Sequence, residues 1–429
     1  MTPPQPKADA FAAIRNPLVR ALALARVSGV IGGQIVNVTV GWELYERTGS
    51  AMSLGLVGLF ELAPVLFFMV PAGNAADRFA RRNIAMLAQI IAAVAALSLV
   101  MVSSHDGPVH LIYGILMLLG TAKAFSGPAV GTILPQLLKP EQFVNANAWV
   151  SSGFQFASIS GPAVGGLIIA ATGGATWAYA VAAAAMLIAA AAFSRLPAIV
   201  PQANTEKRAF ADVFAGFGFV RRTPIFLAAI TLDMFAVLLG GAIVLLPIFA
   251  KDILNVGPEG LGWLRAAPSI GSLLMLMIVT RMKPMARPGV VLLIAVIGFG
   301  LATIGFGLST SFALSFACLF LTGVFDSISV IVRLTLEQVV TPDRLRGRVS
   351  AINYVFIGFS NEFGAFESGA TAALFGPVLS VVGGGIGTIT VVILVALLWP
   401  QLARVGPLHT IKPEEEPEVV PTVEARHSV

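Results

Sequence analysis

Gly73-Asn74-Ala75-Ala76-Asp77-Arg78-Phe79-Ala80-Arg81-Arg82 is a run of small and charged residues set between two long apolar stretches. Its glycine permits close helix approach, Asp77 can accept hydrogen bonds from a neighbouring helix N-terminus, and the arginines hold the loop at one membrane face. The flanking stretches, 51–72 and 83–103, are long enough to cross a bilayer, for which about 20 apolar residues suffice. The same alternation runs through the chain. Breaks marked by charge, proline or glycine delimit further spans near 18–42, 110–135, 144–172, 174–194, 225–249, 258–281, 289–309, 312–335, 349–375 and 378–400, twelve in all. Each is expected to be helical, because a lipid-exposed backbone satisfies its hydrogen bonds within the segment. The alternating segments of about ten residues that mark a membrane barrel are absent.

Composition agrees with this pattern. The 429 residues are 57% hydrophobic and 11% charged, against roughly 25% charged in a soluble protein. A soluble globule and a disordered chain are both excluded. The single cysteine, Cys318, excludes a disulfide framework and a multi-cysteine metal site. Four histidines, with no HExxH and no P-loop string, leave no enzyme site, and neither metal nor cofactor is expected. Of the 27 Lys and Arg residues, 21 fall at one face if the N-terminus is cytoplasmic; Arg47 and Lys251 fall at the other, and Arg26, Lys123, Arg265 and Arg333 fall within spans. This asymmetry predicts that both termini are cytoplasmic. The net charge of +5 then reports topology, and nucleic acid is not an expected partner.

The sequence repeats itself. Arg15-Asn16-Pro17 opens the first half and Arg222-Thr223-Pro224 the second; Leu54-Gly55 is answered by Leu261-Gly262, and Gln136 with Pro140-Glu141 by Gln338 with Pro342-Asp343. Six spans repeated in parallel form the plan of a secondary transporter that rocks about a midplane site. The expected fold is all-α and integral to the membrane, with two pseudo-symmetric six-helix halves. A cytoplasmic tail (1–17) precedes the first bundle (18–194), a cytoplasmic linker (195–224) joins it to the second (225–402), and an acidic, proline-rich tail (403–429) follows. The tail is expected to be disordered, and the N-terminal stretch is not a cleavable signal. Phe210, Phe214, Phe217 and Arg221, at helical spacing in the linker, predict a helix on the membrane surface.

The loop that began the reading resembles the signature loop of the major facilitator superfamily, G-x-x-x-D-R-x-x-R-R. It carries Gly73, Asp77, Arg78, Arg81 and Arg82 at the matching positions, with Ala80 replacing the family's usual glycine. The resemblance implies that Asp77 and Arg78 belong to a charge network holding a cytoplasmic gate shut when the cavity faces outward. Gly161, Pro162, Gly165 and Gly166 are similar to the GPxxGG element of the export branches, whose small residues permit close helix packing and whose proline removes a backbone donor. Residues 41–58, 127–149 and 342–353 look like the branch of bacterial exporters that includes enterobactin exporters and macrolide-efflux proteins. The second-half counterpart of the gate loop, residues 281–289, lacks the aspartate.

Ionisable side chains within spans are costly, by about 2.5–3.5 kcal/mol on the insertion scale, and are functional candidates by default. Glu61, Lys123, Asp233, Asp326 and Glu362 all fall near mid-depth when residues are counted along their spans. The superfamily resemblance implies that spans one, four, seven and ten line the cavity, which directs Lys123, Asp233 and Asp326 at the substrate path. A partly dehydrated carboxylate can carry a coupling proton, with Asp233 or Asp326 the leading candidates and Glu61 and Glu362 behind them. The competing reading is that Lys123 neutralises one carboxylate in a static pair. Arg26 lies nearer the cytoplasm and either pairs with Glu61 or snorkels to the interface. An Arg333–Glu337 ion pair is expected from their spacing of four, and Glu367 with Arg265 is a candidate for an outer gate. The function expected is a monomeric, proton-coupled exporter (an antiporter) in a bacterial inner membrane, moving a small amphipathic molecule. An importer or lipid flippase of the same fold is the alternative, and a transporter-derived membrane sensor a more distant one.

Overall fold

The computed structural model describes residues 11–138, 140–200, 217–282, 285–342 and 345–407. Twelve long helices organise them: α1 (Pro17–Thr48), α2 (Ala51–Arg78), α3 (Arg81–Ser104), α4 (Val109–Gly131), α5 (Pro140–Thr172), α6 (Thr176–Ser194), α7 (Pro224–Leu239, extended by irregular turns to Ile253), α8 (Gly257–Val279), α9 (Pro288–Leu308), α10 (Phe312–Val340), α11 (Arg346–Phe375) and α12 (Pro377–Leu398). Eleven are long and apolar enough to span a membrane, and α11 matches them in length with 30 residues but is more polar. The chain is a multi-pass membrane protein.

The repeat is visible in how the halves begin. Pro17 occupies the first turn of α1 behind Asn16, whose side chain accepts a hydrogen bond from the Leu18 amide at 2.9 Å. Pro224 occupies the same place in α7 behind Thr223. A proline there loses nothing, because the first amides of a helix have no intrahelical acceptor.

Two spans depart from the sequence reading. The fourth was expected to run to 135, but α4 stops at Gly131 and a separate short helix, Ile133–Leu137, follows. Pro128, Gly131 and Pro135 explain the break, since none supports an uninterrupted ladder of backbone bonds. The seventh was expected to run unbroken over 225–249. Instead α7 ends at Leu239, and Gly240-Gly241 leads into a 3-10 turn and a π turn, Phe249–Ile253. Most of the expected surface helix of the linker lies outside the described residues, as do the tail from 408 and Lys7, Lys139, Lys207, Arg208, Lys283 and Arg344; residues 217–222 are helical.

Helices α1–α6 pack among themselves, with α1 against α5 and α6, α3 against α4 and α6, and α2 against α4. In the second set α9 packs on α10 and α12, α8 on α10, and α7 on α11 and α12. The two sets meet along two long crossings, α2 on α11 and α5 on α8. Both crossings are built from glycine. A Cβ added at Gly55 would lie 2.9 Å from Gly369 Cα, and one at Gly166 would lie 2.3 Å from the Pro258 carbonyl. Backbones this close gain dispersion energy that larger side chains would prevent, which is how helices associate where lipid removes the hydrophobic drive. All these contacts lie in the half of the bundle remote from the N-terminus.

Candidate functional site

Between the two sets lies a cavity of about 410 Å³, lined from both sides. Its ionisable residues are Glu61 on α2, Lys123 on α4, Arg265 on α8, Asp326 on α10 and Glu362 on α11. Asn37, Ser269, Ser272 and Asn361 add polar groups, and Leu54, Val57, Val244 and Phe299 are among the apolar ones. The broken part of α7 faces this space through Gly240, Gly241 and Ile243. Non-helical backbone at membrane depth is tolerated where it borders a cavity, because water or ligand can meet its polar groups.

Sequence reasoning placed five charges at mid-depth, and the structure divides them into two groups. In the first, Lys123 donates to Glu61. Glu362 lies within electrostatic range of Lys123, Glu61 and Arg265. This group joins the two halves and balances two acids against two bases. The static pair held open as a competing reading is therefore present, and its acid is Glu61. The Lys123 side chain is nonetheless 45% exposed towards the cavity, whereas that of Glu61 is only 5% exposed.

The second group corrects an expectation. Arg333 does not pair with Glu337; its guanidinium binds Asp233 at 2.5 Å and donates through Nε to Ser329 at 3.3 Å. Glu337 instead accepts from Asn353 Nδ2 at 2.7 Å and from Ser350, joining α10 to α11. The spacing of four was real, but tertiary neighbours offered both side chains better partners than the exposed helix face assumed. Asp233 is buried in this pair and is not among the cavity-lining residues, contrary to its expected position on the substrate path. Asp326 does line the cavity and feels Arg333 only at longer range.

Two weaker expectations also change. Arg265 and Glu367 do not form an outer gate pair: Arg265 faces Glu61 and Glu362, and the Glu367 carboxylate accepts from Ser368 at 3.4 Å. Glu61, bound to Lys123, is not the partner of Arg26, which is half-buried.

The loop between α2 and α3 closes as two helix ends joined by Phe79-Ala80. Arg81 donates to the Thr132 carbonyl at 3.1 Å, and Arg82 to the Ser194 carbonyl at 3.2 Å and to that of Leu196. These carbonyls stand at the C-terminal ends of α4 and α6, where the helix dipole favours a cation. Gly73, expected to allow close helix approach, has nothing within 4 Å of an added Cβ in this conformation. The α5 element does bring helices together on two sides. Gly161 and Gly165 meet α1 at Gln34 and Ile35, while Gly166 and the Pro162 carbonyl meet Gly262 of α8.

At the end remote from the N-terminus, two polar contacts escaped the sequence reading. Tyr45 of α1 donates to Asp252 in the π turn, with Lys251 lying 6.0 Å from the Tyr45 ring centre. Glu43 accepts from Tyr179 at 2.8 Å and from Arg47 at 3.2 Å. The first contact bridges the two halves. Tyr45→Phe should remove about 1 kcal/mol from this closure, a shift of about fivefold. In a Cys318→Ser background, a cysteine at Val40 should be labelled correspondingly faster by a membrane-impermeant reagent; an unchanged rate would show that the bond does not hold the two ends together.

The fold and this central cavity, formed between two repeated six-helix sets, are those of a membrane transporter of the major facilitator type. The chain belongs to the transmembrane secretion effector family, whose model it matches over residues 8–426. It is 26% identical over 390 residues to the enterobactin exporters of Shigella boydii serotype 18 and Escherichia coli, an alignment covering 91% of this chain and 93% of each relative. Among solved structures, it is similar to a bacterial homologue of the human lysosomal transporter Spinster in an inward-facing, occupied conformation (TM-score 0.69, 14% identity, 91% of this chain and 97% of that one). A peptide transporter in complex with sulfate gives a TM-score of 0.71 at 12% identity, covering 91% and 95% of the two chains. Likenesses at such low identity speak for the fold alone.

Proposed function

We propose that the protein is a proton-coupled exporter of a small amphipathic molecule in a bacterial inner membrane, with both termini cytoplasmic. The observation that carries this reading is Asp326, a carboxylate at mid-depth, facing a cavity shared by both halves. Asp233, the other leading candidate, is engaged by Arg333 and stands behind it. The excess of Lys and Arg at the N-terminal face supports the orientation, and similarity to enterobactin exporters supports the direction. In that orientation the glycine crossings and the Tyr45–Asp252 bond seal the outer side, so the cavity is served from the cytoplasm. Cargo and proton would then be exchanged by opening the outer crossings and closing the Asp77–Arg82 loop region. The halves alternate because each ligand stabilises one arrangement over the other.

The test is transport by purified protein in proteoliposomes, beginning with compounds that stabilise it thermally, catecholate siderophores and hydrophobic drugs included. An imposed pH gradient should accelerate movement of a stabilising compound, and Asp326→Asn should abolish that acceleration. A rate indifferent to the gradient would remove the proton from the proposal. Accumulation only in the opposite direction would make the protein an importer.

A further inference from the structure

Of the charged side chains that line the cavity, two have each other: Lys123 donates to Glu61, whose side chain is only 5% exposed. Arg265 and Glu362 are held differently. Among the described residues neither makes a hydrogen bond or an ion pair within 4 Å, although each lies in the other's electrostatic range. Both are half-buried and both line the cavity, Arg265 from α8 and Glu362 from α11, with the polar residues Ser269 and Asn361 lining it from the same two helices. A guanidinium presents five N–H groups in a planar fork that matches a carboxylate or a phosphate, and here no described protein group takes them up. A carboxylate presents acceptors alone. The two stand as an open pair of opposite charges, too far apart to close on one another. Asp326 is not among the groups whose charge Arg265 feels, so the acid within reach of a small ligand on Arg265 is Glu362.

We infer that the cargo is a zwitterionic amphiphile: its carboxylate or phosphate sits in the Arg265 fork, its ammonium faces Glu362, and its apolar body packs along Leu54, Val57, Val244 and Phe299. The inference rests on the transporter reading and names the cargo class of the same cavity. The volume of about 410 Å³ falls within the range of small-molecule sites, roughly 300–1,000 Å³. A zwitterion brings no net charge into a desolvated space and completes both open groups at once. A singly charged ligand would complete one and leave the other without a partner. Lys123 is the poorer anchor for the anionic group, because leaving Glu61 would cost that acid its one hydrogen bond among the described residues.

The experiment uses three compounds on one alkyl chain: α-aminodecanoic acid, a zwitterion; nonylamine, which lacks the carboxylate; and N-acetyl-α-aminodecanoic acid, which lacks the ammonium. Binding to the full-length protein in a non-ionic detergent is measured by equilibrium dialysis. The zwitterion should bind about tenfold more tightly than either relative, the worth of one hydrogen-bonded contact to a charged group. Arg265→Gln should lose that tenfold and leave nonylamine binding unchanged. Glu362→Gln should lose it and leave binding of the N-acetyl compound unchanged, while Lys123→Met keeps the preference. A cooperative thermal unfolding transition shows that a variant is folded, and the wild-type series is a test without any variant. Binding of all three compounds alike, binding of none, or loss of the preference in Lys123→Met but not in Arg265→Gln would overturn the inference. Lysophosphatidylethanolamine carries phosphate and ammonium on a lipid chain: displacement of radiolabelled α-aminodecanoic acid by it assigns the zwitterion to a lipid, and failure to compete assigns it to a soluble amphiphile. Failure of the transport proposal reads differently, as selective binding of the zwitterion with no movement across the proteoliposome membrane. Gradient-driven transport by a protein that binds the three compounds alike would leave the exporter standing and refute only the cargo class.

Discussion

Arg333→Leu should destabilise the protein by about 3–5 kcal/mol, the cost of removing one partner from a buried ion pair. Its side chain is 7% exposed and that of Asp233 is 9% exposed, so water cannot take over the lost charge. The guanidinium also donates to Ser329, and that hydroxyl would lose its partner. Adding Asp233→Asn should restore much of the loss, because a neutral amide no longer needs a counter-charge. The double-mutant cycle in detergent, read by thermal unfolding, should therefore show strong coupling. Additive effects would mean that the pair contributes through packing alone. Lys123→Met should cost less, for a physical reason visible in the site. Arg265 also lies within electrostatic range of Glu61, so the carboxylate left behind, only 5% exposed, keeps one base beside it.

The second large effect concerns the seal. Gly166→Val places a side chain where even a Cβ lies 2.3 Å from the Pro258 carbonyl and 3.0 Å from Gly262 Cα. The contact is backbone on backbone, so no flexible side chain can yield, and α5 must move away from α8. Overpacking of this kind costs about 1–3 kcal/mol, enough to shift the balance between closed and open arrangements by about 5- to 150-fold. Spin labels at Thr172 and Glu259, near the facing ends of α5 and α8, should report a longer distance in the variant. Gly73→Val is the internal contrast: with nothing within 4 Å of its added Cβ, it should leave this conformation undisturbed. A distance distribution in Gly166→Val identical to wild type would show that the crossing does not set the state.

Much of this architecture was readable in advance. Apolar length gave the spans, since hydrocarbon leaves the backbone few alternatives. The internal repeat went further. Leu54-Gly55 and Leu261-Gly262, matched across the halves, proved to be the equivalent positions at which α2 crosses α11 and α8 crosses α5. What remained hidden was pairing. Counting residues placed Asp233, Asp326 and Arg333 at suitable depths, but depth does not say which way a side chain turns about its helix. Arg333 chose Asp233 on α7 over Glu337 one turn away, and Asp326 was left facing the cavity. The break in α7 had a signal, Gly240-Gly241 followed by Pro247, in a span too apolar overall to suggest it. Tyr45–Asp252 had none, because 207 residues separate the partners.

The glycine crossings bear on how easily the protein moves. A seal made of long side chains must freeze their rotamers each time it closes, at up to about 1.5–2 kcal/mol per side chain. Gly55 against Gly369, and Gly166 against Gly262, have no rotamers to freeze. At these two crossings closing costs little side-chain entropy, and opening releases little. The two arrangements can therefore lie close in free energy over a wide temperature range, leaving one small bound molecule or one proton able to tip them.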